Sequence, residues 1–226
     1  MFESKSGILL VGGLGFFLLA FLSNALVPML MYRNLPEQST PEVVNQNVIY
    51  QFEDLSIRYP EQFKKHFGQP TPEKCAEALE LGRQIYIAEG CWHCHSQFVR
   101  PVSNESRRWG PVARTEEYQN ALQRPVMFGT RRVGPDLSRE GGRRGNDWHA
   151  VHFLRPQDLS EGSPMPNYPW FFDEDPKQPG RPNAAFPNRR GLAIITYVQW
   201  LGSWLKSYPY YESYVPTQEQ MISPLE

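Results

Sequence analysis

The chain has 226 residues, with 23 Lys and Arg against 24 Asp and Glu and 13% aromatic side chains. That is room for one anchor plus one medium-sized domain, and a net charge of -1 offers no global field to nucleic acid or any other polyanion. The 21 prolines suit long, stiffened loops better than a plain helical bundle, and three cysteines, an odd number, make no disulfide framework.

From Ser6 to Tyr32 no side chain is charged, and Ile8 to Leu22 is almost wholly apolar or glycine. About 20 such residues cross a hydrocarbon core of roughly 30 Å. Gly12, Gly13, Gly15 and Pro28 weaken a helix in water but are tolerated in lipid. Ser23-Asn24-Ala25 offers the small residues of a signal-peptide cleavage site. Lys5 is offset by Glu3, however, and the apolar run is long for a signal core, so residues 1–33 are expected to be a retained transmembrane anchor. With Lys5 on one flank and Arg33 on the other, charge does not set its orientation.

Residues 34–70 are expected to form a connector with some structure. Val43 to Phe52 carries short apolar runs of ambiguous type, and Pro60, Pro70 and Pro72 punctuate the stretch after it. A clear helix comes next: Thr71 is its N-cap, Pro72 a first-turn proline, and Glu73 and Glu77 suit the positive end of the dipole. Ala78, Leu81, Ile85 and Ala88 approximate one apolar stripe, and Gly90 stops it. A second helix is expected from about Gly191 to Lys206, where Leu192, Ile195 and Val198 keep a helical period. Together they bracket a domain at 71–208, with a tail at 209–226. The hundred residues between the helices are rich in Gly, Pro and Arg, with few periodic runs. That is long for loop, so something other than regular elements must organise it.

Cys91-Trp92-His93-Cys94-His95 supplies an organiser, because C-x-x-C-H is the attachment signal for c-type haem. Two thiols three residues apart on one turn each bond a vinyl group on the same porphyrin edge, and the adjacent His95 then ligates the iron. A redox-active cysteine pair would follow a strand, and here a helix precedes. A zinc site would need a second close ligand pair, for which Cys75, His66, His149 and His152 are poor candidates. Covalent haem is made on the far side of the membrane from the cytoplasm, so the anchor is expected to run N-in, C-out.

A thioether in the sixth iron position would close the site for electron transfer. Of six methionines, Met1, Met29 and Met31 lie in or beside the anchor and Met221 lies past the last helix. Met127 remains, and Met165, held between Pro164 and Pro166, is the stronger candidate. In Gly134-Pro135-Asp136-Leu137, the Pro135 carbonyl is the candidate acceptor for the free ring N–H of His95. From Arg100 to Arg144 ten Arg stand against five acids. This basic stretch is either a solvated face or a source of pairing for haem propionates or an acidic docking surface, with Arg131, Arg132, Arg143 and Arg144 the candidates. His149 and His152 read as hydrogen-bonded packing residues, Trp92 and His93 as residues of the haem edge or a subunit contact, and Cys75 as a free thiol.

The order of helix with Gly82-x-x-x-Tyr86, C-x-x-C-H, Gly-Pro-Asp-Leu, Met-Pro and aromatic C-terminal helix resembles class I cytochromes c. The resemblance implies a mainly α fold with long irregular loops, in which the first and last helices cross at Gly82, Tyr86 and Tyr197. The residues Gly90 to Pro101, Trp109-Gly110, Phe128 to Leu137, Gly141-Gly142-Arg143, Trp148-His149 with His152, and Met165 to Trp170 look more specifically like the mono-haem subunit of cbb3-type cytochrome c oxidases, the CcoO/FixO type. That likeness implies one covalent haem c in a periplasmic domain on a single-pass anchor in the bacterial inner membrane. It also implies a chain that is no catalyst alone but relays electrons to a haem–copper catalytic subunit, with a di-haem cytochrome c subunit as the usual entry point. Where that family usually has Tyr and Asn inside the haem motif, this chain has Trp92 and His93, and the segment from Asp173 to Pro187 and the Cys75 thiol have no counterpart. The cytochrome c subunit of a nitric oxide reductase shares the anchor and single haem, but is shorter between Trp109 and Trp170. A haem enzyme or sensor would need Met165 off the iron.

Overall fold

A computed structural model of the chain describes residues 5–34 and 37–203. The chain divides into two units, one up to Glu37 and the other from Gln38.

The first unit is one apolar helix, α1 (Lys5–Tyr32), of 28 residues. At 1.5 Å per residue it is about 42 Å long, enough to cross a bilayer core. Pro28 has no N–H for the carbonyl of Asn24, and its ring would collide with it. The helix answers with a π-helical turn at Leu22–Leu26, where Val27 N–H reaches back to the Leu22 carbonyl. Polar groups in this turn are satisfied within the helix: Ser23 Oγ donates to the Leu19 carbonyl (2.8 Å) and Asn24 Nδ2 to that of Ala20 (3.0 Å).

In the second unit, the segment expected to be connector folds into helices that join the main core. Asn45 caps α2 (Gln46–Arg58) by accepting from the backbone N–H groups of Asn47 and Val48. The buried side chains Val48, Phe52 and Leu55 keep one face, and Pro60 starts α3 (Pro60–His66). The Phe52 and Phe63 rings meet edge-on with centroids 4.8 Å apart. This region is pinned to the far end of the chain, since Trp200 Nε1 donates to the Val43 carbonyl (3.0 Å) and Asn45 Nδ2 to Ser203 Oγ (3.1 Å). The boundary expected at residue 70 therefore falls inside one continuous core.

The expected helix is α4 (Pro72–Ala88), with Thr71 Oγ1 accepting from the Lys74 N–H. The second, α9 (Arg189–Trp200), begins two residues early because Asn188 caps it, accepting from the Arg190 and Gly191 N–H groups. It stops at Trp200 rather than Lys206, because Leu201 turns to ψ 114°; Lys206 and the expected 209–226 tail lie outside the described residues. The two helices pack together at Gly82. A side-chain carbon there would stand 2.3 Å from the Ala193 carbonyl oxygen and 2.5 Å from Tyr197 Cβ, so only glycine permits this approach. The Tyr86 and Tyr197 rings meet beside it with centroids 5.6 Å apart.

Between these helices lie α5 (Cys91–Cys94), α6 (Glu105–Trp109), α7 (Asn146–Leu154), α8 (Pro156–Leu159) and a two-stranded antiparallel hairpin, β1 (Phe172–Asp175) with β2 (Gln178–Pro187). The hairpin was not expected, since three prolines remove ladder donors from β2. Side chains take over part of the pairing. Glu174 accepts from the Gly180 N–H (2.7 Å), and Asp175 accepts from the Lys177 N–H (2.8 Å) and from Asn183 Nδ2 (3.3 Å).

Candidate functional site

The C-x-x-C-H turn comes directly after α4. Cys91 and Cys94 open and close the single turn of α5, and the His95 N–H bonds back to the Cys91 carbonyl at 2.9 Å. A second segment, 127–137, runs alongside and fixes it by backbone bonds. Gln97 N–H donates to Met127, Thr130 and Arg131 N–H to His93, Gly134 N–H to Cys94, and Leu137 N–H to Ser96. Asp136, buried, locks the two segments: Oδ2 accepts from Ser96 Oγ (2.6 Å) and the Phe98 N–H (2.9 Å), while Oδ1 accepts from the Ser138 N–H (2.9 Å). Tyr86 Oη on α4 donates to the His95 carbonyl, which ties the motif to the helix crossing.

This frame sets the state of the His95 ring. Nδ1 lies 2.9 Å from the Pro135 carbonyl oxygen. A carbonyl only accepts, so Nδ1 carries the proton and Nε2 keeps its lone pair. Burial holds the imidazole below its usual pKa against the opposing pull of the Pro135 bond and of Asp136, which favours the neutral, ligating form. The ring rests against Gly134, where an added side-chain carbon would fall 2.2 Å from Cε1. The fold thus presents an aimed, neutral nitrogen ligand beside two thiols on one turn, an arrangement that fits an iron porphyrin held from one edge.

The Cys91 thiol is pushed up to about 12, chiefly by burial. Tyr168 was not singled out from sequence. It stands three residues after Met165, its N–H bonds the Phe153 carbonyl (2.9 Å) on α7, and its hydroxyl pKa is raised chiefly by burial and then by Cys91. Met165 itself is half-buried against the main core, and Gln157 Nε2 donates to its carbonyl at 3.0 Å.

The other sequence candidates separate. Arg131 is exposed, and its N–H bonds the His93 carbonyl. Arg132 turns inward, pairs with Glu105, donates to the Phe98 carbonyl and lies over the Trp109 ring, its side chain 7% exposed. Its guanidinium is thus taken up by internal structure. Arg144 lies over the Trp148 ring at 4.7 Å. Trp92 and His93 stack with centroids 3.9 Å apart, His93 exposed. On α7, His152 stacks on Trp148 (4.5 Å, 16°) and His149 meets it edge-on (5.2 Å, 88°). Both were expected to be hydrogen-bonded packing residues. They do pack, but His149 Nε2 and His152 Nδ1 are buried without a hydrogen-bond partner among the described residues. Burial pushes His149 down to about 3, and burial with His95 and Arg144 pushes His152 down to about 4. Cys75 is a buried free thiol in α4, raised by burial to about 12.

A mainly helical domain carrying one C-x-x-C-H turn with a pre-aimed histidine, after an apolar N-terminal helix, is the kind of protein that holds a single haem for electron transport. The chain belongs to the FixO family, the mono-heme subunit of cytochrome c oxidase, whose family model matches residues 59–185, over half of the sequence. Membership implies one haem and a place in an oxidase complex. No curated protein matches the chain.

Proposed function

We propose that this chain is the electron-relay subunit of a cbb3-type terminal oxidase, anchored by α1 with its N-terminus in the cytoplasm and its haem domain in the periplasm. Cys91 and Cys94 would hold haem c covalently, and His95 Nε2 and the Met165 sulfur would ligate its iron. When bound, that group supplies a one-electron couple. The protein's part is positioning. Pro135 fixes the tautomer of His95, Gly134 sets its depth, Asp136 holds the two flanking segments in register, and the half-buried Met165 packs against the main core. Electrons would enter from a di-haem cytochrome c subunit and leave to the haem–copper subunit, where the complex reduces oxygen and pumps protons. The exposed Arg131 remains a candidate for pairing with a propionate; Arg132, engaged with Glu105, is the weaker one.

The observation that carries this reading is the 2.9 Å contact between His95 Nδ1 and the Pro135 carbonyl, which leaves a neutral Nε2 beside the two cysteines. The test is mild detergent extraction of membranes containing a tagged chain, then haem staining of denaturing gels, optical spectra and gas-consumption assays. Haem that stays with the chain through denaturation, and is lost in Cys91→Ala and Cys94→Ala, is expected. So are a closed low-spin spectrum that opens to carbon monoxide in Met165→Ala, and oxygen uptake by a co-purifying complex that contains b-type haem and copper. Nitric oxide uptake with non-haem iron and no copper would overturn the oxidase assignment; carbon monoxide binding by the unaltered reduced chain would overturn the closed site.

A further inference from the structure

Away from the haem motif, the C-terminal end of α6 and the loop 139–143 enclose a cleft of about 470 Å³. Arg107, Arg108, Arg139 and Arg143 line it together with Gly141 and Gly142, and no acidic residue does among the described residues. The volume falls within the range of small-ligand pockets, roughly 300–1,000 Å³.

The four arginines are not alike. Arg139 is buried and committed: Nη2 lies 2.9 and 3.0 Å from the two Glu117 oxygens, and Nη1 donates to the Pro111 carbonyl at 2.6 Å. It is a strut that ties loop 139–143 to the chain after α6. Hydrogen bonds brace the same loop at the end of the last helix, from Gly141 N–H to the Leu201 carbonyl (2.8 Å) and from Gly142 N–H to the Gln199 side-chain Oε1 (3.0 Å). Arg107, Arg108 and Arg143 are exposed at the cleft, and none of them forms an ion pair among the described residues. Arg108 is steadied over the Trp109 ring, 4.5 Å from its centroid. The nearby carboxyl, Glu140, is buried and lies outside ion-pair distance of Arg143; burial raises its pKa, and the Arg143 and Arg144 charges pull it back down.

Three exposed arginines therefore line one concavity beside a braced loop, with no acidic residue among the described residues that line it and with Glu140 acting on Arg143 from outside it. Mutual repulsion would spread free surface arginines apart; here the backbone on both sides fixes their origins. Guanidinium forks pair bidentately with planar or tetrahedral oxyanions, and several converging forks favour a ligand of more than one negative charge. We propose that this cleft is a binding site for a phosphate-type oxyanion, separate from the haem site, taking either the diphosphate of a soluble metabolite or the phosphate headgroup of an anionic lipid.

The test uses the full haem-loaded chain in neutral detergent, titrated calorimetrically at low salt with inorganic pyrophosphate and, separately, with a short-chain phosphatidylglycerol against the matching phosphatidylcholine. Arg143→Glu and Arg107→Glu reverse charge at the cleft, and Arg181→Glu, on the exposed β2 strand, is the charge-matched control; the haem absorption spectrum reports that each variant is folded. Saturable binding weakened at least tenfold by each cleft variant but not by the control is expected. Pyrophosphate showing that pattern identifies a soluble ligand, and phosphatidylglycerol alone showing it identifies a lipid. No saturable binding of either probe, binding untouched by the cleft variants, or equal loss in Arg181→Glu would overturn the proposal.

Discussion

The His95 ring rests so closely on Gly134 that a methyl group there would stand 2.2 Å from Cε1 and 2.6 Å from Nε2. The contact fixes ring depth, while the Pro135 carbonyl fixes its rotation and tautomer. Gly134→Ala must push the imidazole outward or move the 127–137 segment, which is bonded along its length to residues 93–97. Overpacking of this kind costs about 1–3 kcal/mol. On the proposed ligation by His95, the expected result is a chain that keeps its haem but loses part of its low-spin spectrum. An unaltered spectrum and unaltered unfolding midpoint would contradict the role assigned to Gly134.

The helix crossing makes a second, independent prediction. At Gly82 the obstacles to a methyl group are the Ala193 carbonyl at 2.3 Å and Tyr197 Cβ at 2.5 Å, neither of them the end of a flexible side chain. Gly82→Ala removes a helix-weakening residue, a gain of at most about 1 kcal/mol, but must force α4 and α9 apart. The clash wins, and a net loss of about 2 kcal/mol or more is expected in chemical denaturation of the haem-loaded chain. Because Tyr86 links the crossing to the His95 carbonyl, the visible spectrum should shift with it.

The parts of the fold legible in the sequence are those that local rules govern. Thr71-Pro72 announced α4, because a cap needs particular residues; the crossing at Gly82, Tyr86 and Tyr197 was expected from the resemblance to class I cytochromes c, and the close approach there does require glycine. The Pro135 contact was legible because a ligating imidazole needs an acceptor for its second nitrogen. The helices at 46–66 were missed: Ile49, Tyr50 and Ile57 lie off the Val48-Phe52-Leu55 face and blur its period, and only burial in the main core reveals which face is inward. The β1–β2 hairpin was missed because its prolines argue against a strand, and its bracing comes from Glu174 and Asp175 side chains. Arg132 reads in sequence as a cation for a propionate, yet its burial beside Glu105 depends on a contact 27 positions away in the chain.

The Arg139–Glu117 pair allows a test of how the central loops are held. Both side chains are 6% exposed. Burial raises the Glu117 carboxyl and the Arg139 charge pulls it back down, so removing Arg139 leaves an unbalanced buried acid. Arg139→Met or Glu117→Gln alone should destabilise by about 3–5 kcal/mol, the usual effect of breaking a buried pair. The double variant should recover part of that loss, giving a coupling of at least about 1 kcal/mol in a double-mutant cycle. Additive losses would mean that the two residues act separately, each through its own backbone contacts.

His149 ties stability to pH with a definite sign. In the unfolded chain an imidazole takes a proton near pH 6.5. In the fold, burial first, then His152 and Arg144, hold His149 neutral down to about 3, with Asp147 opposing them weakly. Between those values the unfolded chain binds a proton that the native chain refuses, so stability falls as pH falls below 6.5, by up to about 1.4 kcal/mol per pH unit. Above 6.5 neither state is protonated and this contribution is flat. His152, lowered to about 4 but less buried, adds in the same direction with a smaller share. Carboxylates begin to titrate below about pH 5, so the clean window is about pH 5 to 6.5. Denaturation of the haem-loaded chain across that window should show a falling midpoint, and His149→Asn should remove about one proton from the slope while leaving the alkaline plateau level. A profile that rises toward acid would mean that His149 is charged in the native protein and that a counter-charge reaches its buried Nε2.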